Sequence, residues 1–134
     1  MTTLEKVEGI GPKYAKQLRE IGVPTTKALL DMGSTRKGRD EIAERSGISG
    51  KLILEWVNHV DLFRIDGVGE EYADLLEEAG VDTVPELAQR NPANLYNKMV
   101  SVNTEKNLVR KLPAASQVED WVAKAKKLPR AISY

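Results

Sequence analysis

Apolar residues along this chain recur in short bursts at three- and four-residue spacing, and each burst is closed by glycine or by small polar residues. That is the signature of a series of short amphipathic helices. Tyr14, Ala15, Leu18 and Ile21 fall on one such face, Pro12 suits the first helical position, and Gly22 stops the run. Upstream, Thr2-x-x-Glu5 has the form of a capping box for a short first helix. Thr25 or Thr26 caps the next run, to Met32, and Gly33 ends it. Ser34 or Thr35 opens a segment that stops at Gly47, and Ser49 caps a helix with Leu52, Ile53, Trp56, Val57 and Val60 on its apolar side. Farther on, the pattern predicts a helix from about Glu70 to Gly80 and another capped by Thr83. A third is opened by Asn91-Pro92, and a last one is boxed by Ser116-x-x-Glu119 before Pro129. No alternating β-branched run bounded by turn dipeptides interrupts the series, so the predicted fold is all-α.

The same grammar occurs twice because the sequence itself does. Val7-Glu8-Gly9-Ile10-Gly11-Pro12-Lys13-Tyr14-Ala15 aligns with Ile65-Asp66-Gly67-Val68-Gly69-Glu70-Glu71-Tyr72-Ala73 at an offset of 58 residues. The match continues through Gly22-Val23 with Gly80-Val81 and Leu29 with Leu87. At an offset of 65, Leu54-Glu55-Trp56-Val57 then meets Glu119-Asp120-Trp121-Val122. Each unit therefore begins with a glycine hairpin and ends with a Trp-bearing helix. The boundary is placed near Arg64, giving units of residues 1–64 and 65–134. With no Ser/Gly/Pro-rich linker between them, they are expected to share a core as one compact domain.

Composition narrows the chemistry. Twenty Lys+Arg balance twenty Asp+Glu over 134 residues, so no net field draws the whole molecule to a polyanion, and any such site is local. The absence of Cys excludes disulfides, thiolate metal sites and a Cys nucleophile. His59 is the one histidine, and no Ser, Cys or second His forms a nucleophile or ligand set with it, so an exposed or hydrogen-bonded helix histidine is expected. No pair of carboxylates stands out for metal-assisted hydrolysis, and the reading is non-enzymatic, with no metal and no cofactor. The first residues lack a basic segment followed by an apolar one, and no apolar stretch approaches the roughly 20 residues that span a bilayer. A soluble cytoplasmic protein without membrane partners is the expectation.

An apolar-x-Gly-apolar-Gly turn before a helix with Ala four residues after its second Gly brings two helices close together. Gly9 and Gly11 can take backbone angles denied to other residues, and Ala15 is small enough for near contact. Both segments, Gly-Ile-Gly-Pro-Lys-Tyr-Ala and Gly-Val-Gly-Glu-Glu-Tyr-Ala, resemble the helix-hairpin-helix motif. Nearly the full length looks like an uncharacterised bacterial family of tandem helix-hairpin-helix proteins, of the SAM-like type. The resemblance implies binding of DNA without sequence reading, with the hairpin against the backbone. It also implies, for some members, a monovalent cation on hairpin carbonyls.

The residues of the first copy agree with that implication. Amides freed at a helix start and the positive end of the helix dipole form a seat for phosphate, with Lys13 and Lys16 on the following turn. Pro12 removes one amide and leaves Lys13 and Tyr14 as donors. The expected nucleic-acid-binding residues are Gly9, Ile10, Gly11, Lys13, Tyr14 and Lys16. In the second copy Glu70 and Glu71 occupy the first turn, and Asp74, Glu77 and Glu78 follow, so carboxylates satisfy the dipole and repel phosphate. Residues 1–64 sum to +2 and residues 65–134 to −2, too little to decide the matter. This second, acidic unit is instead the expected place for a protein partner or a second copy of the chain.

Other features read more plainly. Arg39 to Ser49 followed by Ile53 and Trp56 resembles a helix-turn-helix. Its second helix offers mainly Gly50, Lys51 and Glu55, a poor reading head, and a packing turn is preferred. Arg36, Lys37 and Arg39 form one basic patch and Lys124, Lys126, Lys127 and Arg130 another, both expected as solvated faces. Trp56, Trp121, Tyr14 and Tyr72 occupy repeat-equivalent, helix-spaced positions that read as core, and Phe63 and Tyr96 also fit apolar faces. The expected function is a module that binds a nucleic-acid backbone through its first hairpin. The alternative is an interaction scaffold that binds no nucleic acid.

Overall fold

The computed structural model describes residues 3–134 and is helical, with no strand among those residues. A 3-10 turn, Leu4–Lys6, precedes eight α-helices: α1 (Pro12–Glu20), α2 (Thr26–Met32), α3 (Arg36–Ser46), α4 (Gly50–Leu62), α5 (Glu70–Glu78), α6 (Val84–Ala88), α7 (Pro92–Lys106) and α8 (Ala115–Lys127). By their internal contacts the residues form two units. Unit 1 runs to Asp61 and takes in Ala131–Tyr134; unit 2 is Leu62–Arg130. The division thus precedes Arg64, and the last four residues, assigned to the second repeat from sequence, pack with the first. The reason is specific: the Ser133 N–H donates to the Ser34 carbonyl at 2.8 Å, and Ile132 is buried.

Most helix ends follow the local signals. Thr25 Oγ1 accepts from the Ala28 N–H at 3.1 Å, Thr35 Oγ1 from Gly38 at 3.1 Å, and Asn91 Oδ1 from Asn94 at 3.0 Å. Each such cap is worth about 1 kcal/mol, because it satisfies an amide that has no carbonyl partner in the first turn. Gly47 ends α3 in the left-handed region at φ +76°, and Ser49 Oγ accepts from the Lys51 N–H at 3.2 Å.

Three ends differ. The Thr2 capping box lies outside the described residues, and Thr3 flanks the 3-10 turn without a side-chain cap bond. Thr83 precedes α6 but makes no cap bond either; Glu86 Oε2 accepts from the Asp82 N–H at 3.1 Å instead. The last helix begins at Ala115, one residue before the Ser116 expected to open it. Gln117 Oε1 accepts from the Ala114 N–H at 2.7 Å, so the reciprocal acceptor sits two residues earlier than Glu119.

Unit 1 buries Leu4, Val7, Ile10, Ala15, Leu18, Leu29, Ile42, Ile53, Trp56 and Val57, the apolar faces of α1 to α4. Unit 2 has its own core, in which Leu62, Ile65, Leu75, Leu76, Leu87, Leu95, Met99, Val118 and Trp121 come together. Each large apolar side chain withdrawn from water contributes roughly 1.5–3 kcal/mol. Among the described residues no helix is long and apolar enough to cross a membrane.

Candidate functional site

The first glycine hairpin is built from the 3-10 turn outward. Val7 N–H donates to Leu4 O at 3.1 Å and Ile10 N–H to Val7 O at 3.0 Å, which folds the chain back on itself through Gly9 at φ +93°. A residue with a Cβ resists that angle, so the turn needs glycine here. Ile10 is 3% exposed and plugs into the core, while Gly9, Gly11 and Pro12 stay at the surface. Gly11 is the extended residue before α1, and a side chain placed on it would meet open space.

From Gly11 the helix starts with no side-chain cap. Ala15 N–H donates to Gly11 O at 3.0 Å, Pro12 has no N–H, and the amides of Lys13 and Tyr14 precede the first possible intrahelical acceptor. Lys13 and Lys16 are exposed, three residues apart on one face of α1. Neither forms an ion pair with another described residue. Arg19, one further basic residue of α1, is engaged: it holds Glu5 through two hydrogen bonds of 3.1 and 2.7 Å and keeps that carboxyl below its ordinary pKa. The hairpin thus brings together Gly9, Gly11, Lys13 and Lys16 at the surface, with Ile10 as the buried anchor. Tyr14 contributes its amide only, because its ring is half-buried against Trp56, the two centroids 5.1 Å apart at 57°.

The second hairpin repeats the construction residue by residue. Val68 N–H donates to Ile65 O at 3.0 Å, Ala73 N–H to Gly69 O at 2.9 Å, and Gly67 has φ +93°. Tyr72 leans on Trp121 at 5.3 Å and 49°. The difference is electrostatic: exposed Glu70 and Glu71 stand at the first turn of α5, where the first copy has Pro12 and Lys13. Downstream, Glu78 pairs with Lys106 at 2.6 Å. Asp82 is pushed up to about 6, first by its burial and then by the neighbouring Glu86 carboxyl.

The remaining charged features divide differently from the sequence expectation. Arg39 is not part of a solvated patch. It is 6% exposed, donating to Gly33 O at 2.9 Å and to Ser133 O at 2.9 Å, whereas Arg36 and Lys37 remain exposed. The burial follows from the return of the carboxyl-terminal strap, which no local pattern announces. Lys124 is tied to Asp120 at 2.9 Å on α8, and Lys126 and Lys127 are exposed. His59 is 2% exposed and so lies within the fold, not on its surface. The turn at Gly47 joins α3 to α4, and Lys51 lines the same cleft as Arg36, a shared site that helix-turn-helix spacing alone did not point to.

No curated protein and no solved structure matches this chain. A family profile described as a domain of unknown function, DUF4332, matches residues 8–128, from the residue before the first glycine hairpin to the end of the last helix. With both hairpins and both Trp-bearing helices inside that span, the chain belongs to the DUF4332 family.

Proposed function

We propose that this protein is a non-enzymatic module of tandem helix-hairpin-helix units whose first hairpin holds a nucleic-acid backbone without reading sequence. The observation that carries the reading is the state of Lys13 and Lys16. They are exposed, without ion-pair partners among the described residues, and stand on the first turns of a helix that starts with bare amides at an open glycine. A phosphate there meets two backbone donors, the positive end of the helix dipole and two ammonium groups. Contacts of that kind position a backbone and carry no base information. The second hairpin, with Glu70 and Glu71 at the equivalent place, serves as scaffold and offers an acidic face to a basic partner.

One observation favours the alternative of a scaffold that binds no nucleic acid: the glycine, Tyr and Trp packing is the same in both units although only one hairpin is basic. Anisotropy of a labelled random duplex at two salt concentrations separates the readings. Binding that falls steeply with salt and is lost in Lys13→Glu with Lys16→Glu supports the first. No binding at low salt, or binding untouched by those substitutions, leaves the scaffold.

A further inference from the structure

A second surface of unit 1 has chemistry that the hairpin does not use. The amino-terminal turns of α3 and α4 flank an open cleft of about 370 Å³, lined by Arg36, Arg39, Asp40, Lys51 and Leu54 and by Tyr134. The volume falls at the lower end of small-ligand pockets, roughly 300–1,000 Å³. Among the lining side chains three are cationic, Arg36, Arg39 and Lys51, and one, Asp40, is a carboxylate. Arg36 and Lys51 are exposed, and neither is ion-paired with a described residue.

Arg39 has another task. Its two hydrogen bonds to Gly33 O and Ser133 O fix the guanidinium, and its central carbon lies 5.7 Å from the centroid of the Tyr134 ring. The Tyr134 hydroxyl donates to Asn58 Oδ1 at 3.0 Å. The ring is therefore held from two sides, and the residue as a whole is 56% exposed. An immobilised, exposed aromatic face is a stacking platform for a planar base, and two cations without carboxylate partners are a seat for phosphate. Asp40 repels a phosphate but accepts hydrogen bonds from sugar hydroxyls or an exocyclic amine.

The geometry points to this cleft as a subsite for one nucleoside monophosphate unit, its phosphate on Arg36 and Lys51 and its base on Tyr134. It shares no residue with the hairpin, so either proposal stands or falls without the other. The test is a titration of the full chain with AMP, adenosine, inorganic phosphate and a four-nucleotide single strand at fixed ionic strength, read from the amide resonances of Gly50, Lys51 and Leu54. AMP is expected to saturate these shifts about tenfold more tightly than phosphate, the margin that one base stack supplies, and more tightly than adenosine, which lacks the phosphate that Arg36 and Lys51 hold. Arg36→Gln with Lys51→Gln removes most of that affinity at an unchanged melting temperature. Tyr134→Leu reduces AMP to the level of phosphate, and Lys13→Glu with Lys16→Glu leaves AMP binding intact. Tighter saturation by the oligonucleotide than by AMP identifies a strand as the source of the unit, and the reverse identifies a free nucleotide. The proposal is overturned if none of the ligands saturates these amides, if AMP binds no better than phosphate, or if the Arg36/Lys51 variant binds AMP normally.

Discussion

A Cβ built on Gly9 stands 3.2 Å from the indole nitrogen of Trp56, and in the second unit one built on Gly67 stands 3.1 Å from the indole nitrogen of Trp121. The glycine that turns each hairpin is thus also the floor under each tryptophan. Substitution to Ala meets two penalties together, the left-handed angle of φ +93° and a contact tighter than ordinary packing. Gly9→Ala is expected to lower stability by about 1–3 kcal/mol, and Gly67→Ala by a similar amount. Urea unfolding followed by tryptophan fluorescence measures both. A midpoint unmoved in either variant would show that the turn relaxes away from the ring.

Gly38 carries a harsher constraint. A Cβ there would lie 1.9 Å from the Met32 carbonyl oxygen, because the first turn of α3 is pressed against the end of α2. Gly38→Ala is expected to cost about 2 kcal/mol or more even though Ala is the better helix former, since backbone must move. An increase in melting temperature would contradict the close approach.

Arg39→Lys removes the fork that reaches two carbonyls and the ring of Tyr134. A lysine cannot span Gly33 O and Ser133 O together, so unit 1 is expected to lose about 2–3 kcal/mol and the strap Ala131–Tyr134 to lose protection from amide exchange. Strap amides that exchange as slowly as in the parent would sink this prediction.

The proposed backbone contact has a gain-of-function test. By the internal repeat, Glu71 and Asp74 stand where the first copy has Lys13 and Lys16. Lys13→Ala and Lys16→Ala should each shallow the salt dependence of duplex binding by about 0.9 in log–log slope, and Glu71→Lys with Asp74→Lys should steepen it. Parallel slopes in all four proteins would mean that phosphate contacts lie elsewhere.

Unit 2 should be more stable in mild acid as far as Asp82 decides. Its folded pKa, raised to about 6, exceeds the ordinary carboxylate value, so between the two the folded chain binds more protons than the unfolded one. The stabilising effect of protonation is complete below about pH 4 and is lost as pH rises through 6. Allowing for solvent screening of a half-exposed pair, the swing is about 1 kcal/mol. Asp82→Asn is expected to flatten the pH dependence over that window and to raise the urea midpoint at pH 7. A variant with the parent's pH profile would exclude Asp82 as its source.

What the sequence determined by itself was the local part. Pro12 at the head of α1, the narrowing of two caps to Thr25 or Thr26 and to Ser34 or Thr35, the opening of α7 at Asn91 and the stop at Gly47 depend on residues within a few positions of one another, while the doubled Gly-x-Gly and the matched Tyr and Trp were legible from the internal repeat. Backbone angles, first-turn amides and helix periodicity are short-range properties, and a single chain reveals them. The opposite charge of the two hairpins was readable for the same reason. Tertiary structure alone decided that Arg39 is buried, that Ser133 reaches Ser34 and that Tyr134 stands over the turns of α3 and α4. The bonds that Ser133 makes to Arg39 and Ser34 join residues more than ninety positions apart. No propensity or spacing encodes which distant segment supplies an acceptor to a buried guanidinium. That choice follows from the packing of the whole unit, in which a buried guanidinium left without acceptors would be costly.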